Sequence, residues 1–229
     1  MGHHVKRLDA IIVAVGQFNP AILSPSWLQR KDLISESDAD SAMESLQALV
    51  TEGLMSFDTS WFSLRLVQQQ LVLSTTAGAT PRIRDLAASI FRLLPETPVT
   101  AIGINFAADV QFDSVAEYHQ FGDVLVPKEV WSKLYPGLSV GVASLQLAID
   151  STPRTHVGAT GSIQEQRRFT IQPSNVIHTN AVHIAYNHHY PLGDDGGGRA
   201  AMDLIMAKWE ADFDEVENKF ELLLKLLVE

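Results

Sequence analysis

Apolar residues recur along the chain in two rhythms, and their order predicts the architecture. Leu8 to Val15 is apolar and β-branched on both faces, the pattern of a central or doubly covered strand. Between Phe57 and Thr75 the residues Phe62, Leu64 and Leu66 alternate with polar ones. Gln68 to Gln70 interrupt the pattern, and Leu71 to Leu73 resume it, so a hairpin or one long bent strand is expected. Val99 to Phe112 is the most regular segment. Ile102, Ile104, Phe106, Ala108, Val110 and Phe112 share one face; Gly103, Asn105, Asp109 and Gln111 share the other. Ser139–Ile149, Ile163–Ile171 and Val176–Tyr190 read as three further strands.

Helical spacing separates these strands. Ser37 with Asp40 makes a capping-box pattern ahead of Met43, Leu46, Leu49 and Val50, and Gly53 stands where that helix would end. Thr80 and Pro81 open a helix with Ile83, Leu86, Ala87, Ile90, Phe91 and Leu94 on one stripe. Ser114 with Glu117 opens a short helix, and Pro127 another that carries Val130, Trp131 and Leu134. After the glycine-rich turn from Gly193 to Gly198, one long helix runs from Arg199 to about Val228.

This order lacks regular strand–helix alternation, which argues against a doubly wound fold. The expected class is α+β: a mainly antiparallel sheet with amphipathic helices and a long C-terminal helix. One domain over residues 1–229 is expected, with a two-lobed division into 1–136 and 137–229 as the variant. Each half reads as strands plus one amphipathic helix. A duplicated unit is compatible with that, although the sequence shows no self-similarity to support it.

Composition narrows the function classes. The chain has 229 residues, 46% hydrophobic and 19% charged, with a formal net charge of -10. It can bury a substantial core, and the acidic balance disfavours nucleic acid as a partner. With no cysteine, thiolate catalysis, disulfides and cysteine-ligated metals are excluded. Ile11 to Val15 is too short for the apolar region of a signal peptide, and no stretch reaches the ~20 residues of a membrane span. A cytoplasmic protein without a membrane is the expectation. The opening Met1 to His4 reads as a tag remnant, so His3 and His4 enter no argument.

Several features resemble chemistry. His178, His183, His188 and His189 are close in sequence. On one straight strand, at ~3.3 Å per residue, His178 and His188 would lie about 33 Å apart and His183 and His189 about 20 Å. Such pairs cannot share an ion. A metal site could still join His188 or His189 to Asp194 or Asp195 past the turn at Pro191, so a divalent metal is the one cofactor these residues admit. That alternative reading is a metal-assisted hydrolase, with the ion lost on His188→Ala or Asp195→Ala. Gly193 to Gly198 lacks the lysine and serine or threonine of a phosphate loop and carries two acids, so it reads as a flexible strand-to-helix connection. Gly158 to Gly161 reads as a loop tip. No Gly-x-Ser-x-Gly elbow is present. Asp109, beside Asn105, is the acid that stands out on a strand face. Arg167 and Arg168 suggest a third reading, a local basic face for a nucleotide or nucleic acid.

The terminal helix carries the leading expectation. Met202, Ile205, Trp209, Phe213, Val216, Phe220, Leu223 and Leu227 form one apolar stripe, and Glu210, Asp212, Asp214, Glu215 and Glu217 an acidic face. From Phe220 onward, Leu222, Leu223, Leu224, Leu226, Leu227 and Val228 are apolar in almost every direction. A helix apolar all round is buried or meets another chain. The favoured reading is therefore a non-enzymatic binding or assembly subunit that associates with itself or a protein partner through this helix.

Overall fold

The computed structural model describes residues 3–45, 53–149, 166–193 and 196–226. The fold is α+β, built on one eight-stranded antiparallel sheet. The chain runs β1 (His3–Gly16), α1 (Pro25–Arg30), α2 (Glu36–Ser45), β2 (Leu54–Asp58), β3 (Phe62–Val67), β4 (Gln70–Thr75) and α3 (Pro81–Leu93). It continues through β5 (Val99–Phe112), α4 (Val115–Leu125), α5 (Glu129–Leu134), β6 (Leu145–Ile149), β7 (Gln166–Pro173), β8 (Ala181–Pro191) and α6 (Gly198–Leu226).

The strand order β2-β3-β4-β1-β5-β8-β7-β6 repeats one unit twice about the β1–β5 pair. Each unit is a long strand, two helices, a three-stranded meander and a closing helix. The repeat falls between α3 and β5, and both units share one continuous sheet. The closing helices α3 and α6 pack against each other on the same face.

Burial follows the two-residue period of the strands. Ala10, Ile12 and Ala14 of β1, Leu71 and Leu73 of β4, and Ile102, Ile104 and Phe106 of β5 are buried on the helix face. Trp209 of α6 meets Phe106 edge-on with ring centroids 5.4 Å apart, and Phe121 of α4 lies 5.1 Å from Phe112. The opposite face, with Ile11, Val13, Asn105, Asp109, Asn187 and Arg168, is half-buried to exposed, and we call it the open face. Leu8 to Val15 is therefore a central strand covered on one side.

Local chemistry accounts for most element boundaries. Thr80 and Ser114 accept from the amides of Arg82 and Glu117, capping α3 and α4 as their patterns foretell. At α2 the box shifts by two residues. Ser35 Oγ accepts from the Asp38 amide at 3.1 Å, and Asp38 Oδ2 accepts from the Ser35 amide at 3.4 Å. Asp38 is selected because its carboxylate also reaches Arg82 of α3 at 3.2 Å and Ser60 at 3.3 Å. Burial alone would raise this carboxyl, but the Ser35 hydrogen bonds and the Arg82 charge outweigh it and hold Asp38 below its ordinary value.

Phe57 to Thr75 forms three strands, because Gln68 and Gln69 make a tight turn between β3 and β4. Of Ser139–Ile149, only Leu145–Ile149 pairs as a strand. β8 begins at Ala181, five residues later than its pattern suggests. Ser174 Oγ holds the amides of Val176 and Ile177 in a turn, and Asn180 enters the left-handed region at φ 50°. His178 consequently lies outside the strand. Leu46, Leu49 and Val50 lie outside the described residues.

The glycines ahead of α6 are required by close approach. A Cβ at Gly198 would collide with the carbonyl oxygen of Leu94, and one at Gly196 with that of Val99. The β8–α6 connection is thus packed onto the junction between the two repeats. We expect Gly198→Ala to cost about 1–3 kcal/mol in a denaturant titration, as for other overpacked sites. Gly141→Ala, with open space around it, should change stability by no more than about 0.5 kcal/mol.

Candidate functional site

Three regions stand out: a buried polar cluster under α6, the open sheet face, and an apolar outer surface on the second repeat. The cluster arises from the alternation of β8. Tyr186, His188 and Tyr190 follow Val182 and Ile184 onto the helix face, where α6 covers them. The buried positions of α6 step through Ala201, Ile205, Trp209, Asp212, Val216, Phe220 and Leu224, so an acid occupies a core position. Asp212 is 3% exposed and accepts from the Tyr190 hydroxyl at 2.7 and 2.8 Å.

His188 is 1% exposed. Its Nδ1 lies 3.0 Å from Asp212 Oδ2, and its Nε2 lies 3.8 Å from Glu215 Oε2. Neither ring nitrogen makes an aligned hydrogen bond. The imidazole thus lies between two carboxylates. Glu215 Oε1 accepts from the Tyr186 hydroxyl at 3.1 Å, and Arg167 approaches Glu215 Oε2 at 3.7 Å from the half-buried margin. Burial, reinforced by the Glu215 charge and hydrogen bond, pushes the Tyr186 phenol up to about 12. An acid, an imidazole and two phenols could serve proton transfer, but burial keeps His188 and Asp212 from a substrate. What the cluster does is bind α6 to β8.

The open face gathers a different set. Asn187 donates from Nδ2 to Asn105 Oδ1 across β8 and β5, and His183 Nδ1 lies 3.3 Å from Asp109 Oδ1. Gln166 stands opposite His189, and Arg168 opposite Asn187. Ala148, Gln166, Arg167, Arg168, Asn187 and His189 line a hollow of about 350 Å³.

The apolar surface reflects a difference between the repeats. In the first, Leu28 of α1 and Ala39 and Ala42 of α2 enter the core. In the second, α5 buries no residue. Leu134 is 61% exposed and Leu138 69%, and Val130, Trp131, Leu147 and Ile149 are also exposed. Beneath α4 a cavity of about 150 Å³ is lined by Tyr118, Phe121, Ile171 and Val182 among others.

Arg167 reaches toward Glu215 of α6 and Arg168 lies opposite Asn187 on the open face, and both border the hollow beside Ala148. His188 and His189 likewise point to opposite faces, and Asp194 and Asp195 lie outside the described residues. Among the described residues no histidine, aspartate and glutamate group could hold a metal ion. Phe220, 6.1 Å from Phe169 between ring centroids, and Leu224 are buried in this chain's own core. Leu223 packs partly against it, and Leu222 is 51% exposed. The side chains of Leu226, Leu227 and Val228 lie outside the described residues. Asp212, Glu215, Tyr186 and Tyr190 are the site residues that sequence reasoning missed. The available signal was the step of three from Trp209 to Asp212 and four on to Val216.

Among the described residues no helix is long and apolar enough to cross a membrane. No protein-family model and no curated protein matches the chain.

Asp212→Ala leaves the Tyr190 hydroxyl without its buried acceptor, and we expect a loss of about 1–3 kcal/mol in stability. In an absorbance titration Tyr186 should ionise near pH 12, above the usual value of about 10. Because the folded value is raised, its stabilisation is complete below pH ~10 and lost toward pH ~12. Tyr186→Phe should remove the late transition and flatten that decline.

Proposed function

We propose that the protein is an assembly subunit whose second repeat docks onto a second copy of the chain. The observation that carries this reading is the inequality of the two repeats. One unit closes its outer strands under two helices, and the equivalent unit leaves apolar side chains of α5 and β6 in solvent. Half-exposed side chains of this size leave on the order of 100 Å² each. Val130, Trp131, Leu134, Leu138, Leu147 and Ile149 then amount to several hundred Å², most of the ~800 Å² that each partner contributes to a standard interface.

The edge strand argues for a second copy as the occupant. β6 ends the sheet order and carries no charge and no proline to blunt its outer edge. Two such strands are antiparallel about a two-fold axis normal to the sheet. Leu145, Leu147 and Ile149 of both copies then fall on the same face, where the apolar groups cover one another. Leu222, near the C-terminal end of α6, is also exposed. In this reading the C-terminal helix contributes through Leu222, while Phe220 and Leu224 anchor it to its own sheet.

Light scattering should give twice the chain mass of 25.2 kDa at about 100 μM, a concentration that reveals micromolar association. Leu147→Lys combined with Leu134→Lys should return the monomer with an unchanged circular dichroism spectrum. A monomeric full chain at that concentration overturns the reading.

A further inference from the structure

The open face carries an inference separate from self-association. We propose that β7 and β8 bind the oxyanion group of a small molecule, a phosphate or a carboxylate, through Arg168, His189 and Gln166. The register makes a grid of these side chains. Gly103, His189 and Gln166 form one row, and Asn105, Asn187, Arg168 and Ala148 the next. Facing residues in adjacent strands stand about 5 Å apart, within reach of one small ligand. Ala148 projects little above the sheet, which leaves the hollow of about 350 Å³ between the longer side chains.

The chemistry of the grid is one-sided. Arg168 offers a guanidinium fork, Gln166 an amide NH2, and either neutral tautomer of His189 one ring N–H. The hydrogen bond from Asn187 to Asn105 Oδ1 fixes both amides and leaves the Asn105 NH2 free to donate. No carboxylate belongs to the grid, in a chain with 27 acidic residues. The neighbouring acid on the same face, Asp109, is engaged by His183. Arg168 is exposed, and among the described residues it has no acidic partner, whereas Arg167 on the other face meets Glu215. The lining holds no aromatic ring except the imidazole of His189, so a stacked base has no platform, and the anionic group itself is what the site recognises.

The test is nuclear magnetic resonance titration of the full chain with inorganic phosphate and, separately, with succinate, at about 10 mM ionic strength, where screening is weak. We expect one of the two to give saturable shifts at residues 166–168 and 187–189. The anion that binds identifies the group. Arg168→Ala should weaken binding tenfold or more, and His189→Ala several-fold. Arg65→Ala, which removes an exposed arginine on the same face of β3, should leave it unchanged. All three side chains are at the surface, so unchanged thermal unfolding confirms that the variants fold. The proposal is overturned if neither anion shifts those residues, if Arg168→Ala binds as the parent does, or if Arg65→Ala weakens binding equally. Arg168-dependent binding of a single-stranded oligonucleotide without any response to the small anions would also overturn it.

Discussion

The antiparallel pairing of β1 with β5 is the contact on which the rest of the structure depends. Among the described residues these two strands are the longest in the sheet and form the only ladder between the repeats. Their register places Ala10, Ile12 and Ala14 on the same face as Ile102, Ile104 and Phe106. A slip of one residue would turn every one of those side chains to the opposite face. With the register set, α3 and α6 meet over the seam, and the salt bridge from Arg84 to Glu210 joins them at its margin. Gly198 keeps the second closing helix tight against the end of the first, and Gly196 packs against the start of β5.

Covering one face of a sheet has consequences for chemistry. Polar groups on the helix face are buried and must find partners there. Tyr190 finds Asp212 and Tyr186 finds Glu215, with His188 between the two carboxylates, which makes them a clamp between helix and sheet. Groups on the open face remain available to solutes. Adjacent residues of one strand therefore have unrelated roles: Arg167 neutralises Glu215 while Arg168 faces solvent, and His188 is enclosed while His189 is accessible. The side chains of the proposed anion site and the apolar side chains of the proposed dimer surface lie on opposite faces for the same reason, with β6 contributing Ala148 to one and Leu147 to the other.

The two repeats show how one topology carries different duties. The first is closed: Asp38 ties α2 to α3 through Arg82, whose guanidinium also lies 3.8 Å over the Trp61 ring. The second replaces that closure with a cavity under α4, an α5 without buried residues and a bare β6. A duplicated fold provides its own internal comparison, and the surface that one copy covers is the surface where the other can meet a partner.

Much of this was legible in the sequence where the signal is local. The α+β class, the central strand Val99–Phe112, the helix from Pro81 and its Thr80 cap, the Ser114 cap and the long final helix all follow from periodicity and capping chemistry. These depend on neighbours within a few residues. The repeat, the pairing of β1 with β5 and the uncovered face depend on contacts between residues far apart in sequence, which no local pattern records. Asp212 illustrates the limit. It stands among Glu210, Asp214, Glu215 and Glu217, and the apolar stripe can be drawn through Phe213 instead. Only the tertiary structure, by setting Tyr190 and His188 of a distant strand against that turn of α6, made it a core residue. Sequence by itself determined which segments could be strands and helices; long-range packing decided which of their polar side chains were to be buried together and which were left facing solvent.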